Sequence, residues 1–287
     1  MDSTDIFPYP ISLAQWSLHL RYKAEDGKPL EFPKDARELG FNGIELVTQL
    51  YTKEIEKLGF DTVIDSLKME GERANIEFVL IMIDEEGDLV DPDDAIRNQA
   101  VENHKKWVDA AAKLGAHSVR VNTFGTNDPE EWKTVAKDGL TKLSEYAATK
   151  NINVLVENHG WISSNPEIVM EVLNEMDLAN CGTLPDFGNW CVLRENGERW
   201  GTCIKEYPDM YEGIRMMLPR AKGVSAKSNY FDENGNEKNI DYVRMLQLIR
   251  ESDFNGWIGV EYEGDISEPE GIQLTKDLLL KAYQQTK

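Results

Sequence analysis

Cysteine is scarce: Cys181, Cys191 and Cys203 are the only three in 287 residues, and no Cys-x-x-Cys spacing joins them. An odd, unclustered set argues against a disulfide framework or a zinc knuckle, and it predicts reduced thiols in a reducing compartment. Histidine is nearly as rare, with four. Basic residues are outnumbered 31 to 52, for a net charge of −21. Such a surface repels phosphate backbones and anionic membranes, so neither nucleic acid nor a membrane is expected as a partner. Runs long enough to span a bilayer, roughly 18 apolar residues, are missing. The opening Met1-Asp2-Ser3-Thr4-Asp5 is polar and acidic, unlike a secretory leader. The cytoplasm is the expected location, although a leader already removed would leave no trace. Also missing is a glycine-rich phosphate loop after the first β-like run, where Gln15-Trp16-Ser17-Leu18-His19 stands instead. That argues against a dinucleotide-binding doubly wound sheet.

What is present is an ordinary globular composition, 41% hydrophobic and 29% charged. Short β-rich runs alternate with longer helical patterns. Strands are expected at 11–16, 43–46, 77–82, 118–122, 153–157, 182–186, 222–227 and 257–262. Helices are expected at 32–39, 52–73, 92–114, 129–150, 166–174, 209–218, 240–250 and 269–283. In the third long helix Ile96, Ala100, Trp107, Val108, Ala111 and Leu114 form one buried stripe. Eight β-plus-α units in a chain of this length fit a single α/β domain over 1–287, a (β/α)8 TIM barrel. No composition break looks like a linker. The longest non-periodic stretch, 187–207, is expected to cover one mouth of the barrel.

Active sites in such barrels sit at the C-terminal ends of the strands. Three predicted strands end on carboxylates: Val154-Leu155-Val156-Glu157, Thr183-Leu184-Pro185-Asp186 and Gly259-Val260-Glu261. The seventh ends instead on Ser225-Ala226-Lys227. Strand parity places Glu157 with Asn153 and Leu155, and Glu261 with Trp257 and Gly259, so both carboxylates aim inward. One strand-end glutamate is as readily a helix cap or salt bridge. Three converging in a low-dielectric mouth repel one another and call for a cation, a divalent ion or Lys227. Trp16, Phe124, Trp161, Trp190 and Trp257 are expected near the same mouth, where flat faces stack on sugar C–H surfaces or simply close the barrel top. Gln15, His19, Glu45 and Asn122 are candidate hydroxyl partners, whereas His104 and His117 fall beside the third long helix and read as structural.

The order of these strand-end residues resembles the xylose-isomerase-like barrel superfamily of sugar isomerases and epimerases, from Ser12-Leu13-Ala14-Gln15-Trp16 to Glu261-Tyr262-Glu263. That resemblance implies a metal held by Glu157, Asp186, the residue at 225 and Glu261. It further implies that Glu157 and Glu261 exchange a substrate proton while Lys227 steadies an oxyanion. The chain departs from the pattern twice. Ser225 stands where a metal-binding His is usual, and Asn189 where relatives often carry a second His. The fourth ligand is then Ser225 or His159, and His159 serves alternatively as a substrate contact. An oxygen-rich set favours Mg²⁺ or Mn²⁺ over Zn²⁺, bound weakly or not at all without the histidine. Asn189 and Trp190 join Gln15, Trp16, His19, Glu45, Asn122 and His159 as expected contacts to a small carbohydrate. The expected activity is proton transfer next to a carbonyl of a ketose or keto-sugar. A hydro-lyase on keto-sugars or inosose-type polyols, or a non-catalytic carbohydrate-binding barrel, stands as the alternative. Substrate identity, its phosphorylation and the oligomeric state are not legible.

Overall fold

A computed structural model describes residues 7–286. Eight parallel strands roll into a barrel: β1 (Ile11–Ala14), β2 (Gly43–Val47), β3 (Glu77–Ile83), β4 (Ser118–Val121), β5 (Asn153–Glu157), β6 (Cys181–Leu184), β9 (Gly223–Ser228) and β10 (Trp257–Tyr262). Numbers β7 and β8 belong to a separate hairpin, Cys191–Arg194 and Cys203–Glu206. Neighbours in the barrel run β6-β5-β4-β3-β2-β1-β10-β9. The ring closes through two parallel bridges between its outer edges, Thr183 with Ala221 and Asp186 with Ser225. At the second bridge Ser225 N donates to Pro185 O at 2.9 Å and Phe187 N donates to Ser225 O at 3.0 Å. Strands covered on both faces need near-continuous apolar runs, and β2 and β9 are buried along their whole lengths.

Helices surround the barrel as the periodicity predicts. The longest, α5 (Asp94–Leu114), starts where the Asp93 carboxylate accepts from the backbone N–H of Ala95 and Ile96, and stops at Gly115 in the left-handed region. The expected helix 52–73 is two helices, α3 (Thr52–Leu58) and α4 (Phe60–Ala74). Gly59, with φ of 84° and ψ of 150°, breaks the hydrogen-bond ladder between them. Among the described residues no helix is long and apolar enough to cross a membrane.

Cysteine behaves differently from the expectation of reduced thiols. Cys191 and Cys203 form a disulfide across the β7–β8 hairpin, and Cys181 is a free, buried thiol. The antiparallel hairpin brings their Cα atoms to 5.8 Å, within bridging reach, which a separation of 12 residues does not reveal. The stretch 187–207 therefore holds a stapled hairpin, and it covers the barrel mouth as expected.

Candidate active site

Glu157, Asp186 and Glu261 offer carboxylate oxygens that all lie within 4.8 Å of one another. Each is buried at the C-terminal end of the barrel. Asp186 is fixed by the turn that follows β6: its Oδ1 accepts from the backbone N–H of Gly188 at 2.7 Å and Asn189 at 2.9 Å. Its Oδ2 faces the cluster. Ser225 Oγ lies between two of the acids, 2.6 Å from Asp186 Oδ2 and 2.8 Å from Glu261 Oε2. One hydroxyl has one proton to donate, so two ionised acceptors cannot both be satisfied by it. The cluster therefore takes up a proton or a cation. Burial and the neighbouring Glu261 and Glu157 hold the Asp186 carboxyl well above the usual range, against the pull of Lys227.

Two internal cations flank the triad. Arg120, mid-strand in β4, places Nε 2.8 Å from Glu157 Oε2, off the line of the N–H bond, and Nη1 2.9 Å from Asp84 Oδ1. Lys227 places Nζ 3.2 Å from Glu261 Oε1 and 2.7 Å from Glu263 Oε2. Burial alone would depress the Lys227 ammonium, but Glu261, Glu263, Asp186 and Glu157 together hold its pKa well above normal. Burial raises the Glu157 carboxyl to about 7, with Arg120 opposing the rise. Glu263 goes the other way, to about 2, because Lys227 outweighs its burial.

A cavity of about 760 Å³ opens above this cluster, with Lys227, Glu261, Asn189, Asn122, His159 and Trp16 on its walls. Glu157 lies one layer deeper, behind Asn189, whose Nδ2 donates to Glu157 Oε1 at 3.2 Å. His159 stands outside the carboxylate cluster. Its Nδ1 meets Asn122 Oδ1 at 2.7 Å, and Asn122 Nδ2 donates to Asp84 Oδ1 at 2.6 Å. Burial and Arg120 depress its imidazole to about 4, so it is neutral at pH 7. Of the two expected candidates for the fourth position, Ser225 is the one whose oxygen sits among the acids, whereas His159 is engaged by Asn122 outside the cluster.

Other expected contacts are also relocated. Gln15 is fully buried, bonding the Tyr51 hydroxyl and the Val47 N–H, so both ends of its amide are spent on the fold. Glu45 lies beneath the cavity, where its Oε1 accepts from Ser12 Oγ at 2.6 Å and burial raises its pKa to about 8. It reaches past β1 toward β10 because residue 259 is glycine, where a Cβ would overlap the Glu45 carboxyl. His19 stacks on the far side of Trp16, with ring centroids 4.6 Å apart, away from the cavity walls. Trp190 donates its indole N–H to Phe187 O and packs against Gly213 outside the cavity. Trp257 opens β10 and so lies at the opposite end of the barrel from the site. His104 is buried in α5 as expected, with Nδ1 2.7 Å from Ala100 O, and it touches the outer end of the cavity. Sequence reasoning passed over Arg120, Asp84 and Glu263. Arg120 carried a signal: a lone charge inside an apolar strand, two residues before Asn122.

With this geometry in place, comparison with known proteins decides the family. The model of the xylose isomerase-like TIM barrel family matches residues 33–282. The chain belongs to this family. No curated protein matches the sequence. Among solved structures it is similar in fold to L-ribulose 3-epimerase, with a TM-score of 0.72 and 14% identity over 96% of this chain and 95% of that one. It is also similar to D-psicose 3-epimerase from Clostridium cellulolyticum H10, solved with D-tagatose (TM-score 0.68, 12% identity, 96% of each chain). A xylose isomerase-like TIM barrel protein from Mycobacterium smegmatis, in complex with magnesium, gives 0.66 and 19% identity over 99% and 100% of the two chains.

Proposed function

We propose that this xylose isomerase-like barrel is a sugar isomerase or epimerase that moves a proton next to a carbonyl of a ketose or keto-sugar. The observation that carries the reading is the convergence of three carboxylates, Glu157, Asp186 and Glu261, within 4.8 Å beside a buried ammonium, Lys227, at the mouth that Glu261 lines. A general base works best with a pKa near the operating pH. A carboxylate of the cluster takes the α-proton, and the C–H electron pair forms the enediolate double bond while the carbonyl oxygen takes up negative charge. Lys227 Nζ, held between Glu261 and Glu263, stabilises that oxyanion. Delivery of a different proton from a protonated carboxyl on the opposite face inverts the centre, whereas delivery to the former carbonyl carbon, with the hydroxyl proton passing to the other enediolate oxygen, isomerises the sugar. Glu261 meets the substrate directly. Glu157 does so when the Asn189 amide that covers it turns toward a substrate hydroxyl.

The donor set fits a divalent ion: three carboxylates within 4.8 Å, with a hydroxyl among them and no nitrogen ligand. Glu157, Asp186 and Glu261 would hold it, and the oxygen-only set favours Mg²⁺ or Mn²⁺. When bound, such an ion polarises the carbonyl and shares the oxyanion charge with Lys227.

The test is solvent deuterium incorporation, followed by proton NMR across a panel of ketoses with Mg²⁺ or Mn²⁺ supplied. Exchange at the carbon beside the carbonyl, abolished in Glu261→Gln, is the expected result. No exchange with any ketose or keto-sugar sinks the reading, and loss of water from the product would reassign the protein as a hydro-lyase.

A further inference from the structure

The cavity is larger than one sugar ring needs. Its volume of about 760 Å³ lies in the upper part of the roughly 300–1,000 Å³ that encloses drug-sized ligands. It is also two-sided. Lys227, Glu261 and Asn189 form one end, above the carboxylates. The other end runs out past the strand tops to the stapled β7–β8 hairpin and to the loop after β3, where Asp88 stands.

That outer end is assembled by several side-chain contacts. Trp200, at the hairpin tip, is 53% exposed although it lines the cavity. Its ring centroid lies 5.4 Å from that of Phe124 and 5.2 Å from that of His159. Arg199 reaches across the opening to Asp88, with Nη1 to Oδ1 at 2.9 Å, and lies over the Phe124 ring at 5.2 Å. The tip is tied down by the Trp161 indole N–H donating to Glu198 O at 2.9 Å and by the disulfide at the hairpin base. Trp200 thus presents an exposed indole on the cavity wall, backed by the buried Phe124 ring.

One polar group there lacks a partner. Arg194 lines the cavity, its Nη1 donates to Gly201 O at 2.8 Å, and its Nε is buried with no hydrogen-bond partner among the described residues. No carboxylate pairs with it among those residues, in a chain of net charge −21. Arg194 thereby brings a guanidinium with no carboxylate partner among the described residues to the cavity wall. The remaining wall carries Glu85, Glu86 and Asp88 against one further guanidinium, Arg199, which is already paired with Asp88, so an anionic group gains little there. An aromatic face, the guanidinium donors of Arg194 and Arg199 and several carboxylate acceptors together suit a neutral, hydroxyl-bearing ring.

We propose that Trp200, Phe124 and Arg194 form a distal subsite for a second, uncharged sugar ring, so that the ligand is a disaccharide or comparable glycoside rather than a free monosaccharide. This assignment rests on the proposed sugar specificity of the same cavity. The β7–β8 hairpin is the reader of that second ring, and the disulfide fixes its reach.

Titration calorimetry of the whole oxidised protein tests it, with lactulose and maltulose set against fructose. One keto-disaccharide should bind at least tenfold tighter than fructose. Trp200→Ala and Arg194→Gln should each remove most of that advantage while leaving fructose binding within twofold. Equal binding of fructose and both disaccharides, no binding of any sugar, an advantage that survives both variants, or tighter binding of glucuronic acid or fructose 6-phosphate would each overturn the subsite. Binding is read without turnover. A disaccharide advantage in a protein that exchanges no proton would refute the proposed reaction and keep the subsite, whereas exchange on fructose without a disaccharide advantage would do the reverse.

Discussion

Arg120 sits 2.8 Å from Glu157, guanidinium against carboxylate, with both side chains almost completely buried. The pair sets the protonation of the deepest acid in the cluster. Burial drives the Glu157 carboxyl up, and Arg120 is the largest influence holding it down to about 7.

Replacing Arg120 by Met should therefore raise the Glu157 pKa. A base must be ionised, so activity at pH 7 falls and recovers in part as the pH rises. The acid limb of kcat/KM is expected to move upward by at least about one pH unit, equivalent to about 1.4 kcal/mol. Breaking the buried pair also leaves Glu157 and Asp84 uncompensated, at a stability cost of roughly 3–5 kcal/mol. A pH–rate profile with an unmoved acid limb would show that Glu157 is not the titrating base.

Glu45 predicts the pH dependence of stability. Its folded pKa of about 8 exceeds the usual carboxylate value, so the native state retains a proton that the unfolded chain gives up. Stability from this group is greatest below the unfolded value and is lost as pH rises through about 8. Glu45→Gln keeps an acceptor for Ser12 and carries no charge. Its melting temperature should exceed the parent's by several degrees at pH 9 and converge with it near pH 5. An equal difference at both pH values would rule out the titration.

Ser225 offers a gain-of-binding experiment. Ser225→His adds an imidazole beside three carboxylates, and divalent affinity should rise about tenfold or more, with Zn²⁺ gaining most. Calorimetry with Zn²⁺, Mn²⁺ and Mg²⁺ measures this directly. No gain for any of the three would mean that Lys227 and Arg120 already fill the role of the ion.

Reducing the Cys191–Cys203 bridge should loosen the hairpin and spare the barrel. Closing a loop of roughly this size contributes about 3 kcal/mol in the chain-entropy account, and an isolated two-stranded sheet is marginal on its own. Amide exchange across residues 191–206 is expected to accelerate on reduction, while β1 to β6 stay protected. Uniform acceleration through the barrel strands would contradict that division.

Much of the barrel was legible because its signals are local. Apolar runs that stop at Glu157, Asp186 and Glu261 mark both the strand and its functional end, and parity already aimed two of those acids inward. Gly59 escaped because a single glycine in an otherwise helical pattern reads as tolerated. The disulfide escaped because hairpin register, not spacing, joins Cys191 to Cys203. Gln15 and Trp190 were placed near the right end but on the wrong side of the wall, since a strand-end position does not say whether a side chain meets the axis or the surrounding shell. Arg120 was missed by attending to strand ends alone, although its place within β4 set it on the same inward course as Asn122.

The barrel closes where Asp186 bridges to Ser225, and the same two side chains meet in the acidic cluster. The last joint of the ring is thus also its reactive floor. A slip of one residue at that joint would turn Asp186 outward toward the helices and leave Ser225 facing empty space. Closing the ring and assembling this part of the acidic cluster are therefore a single event in this chain.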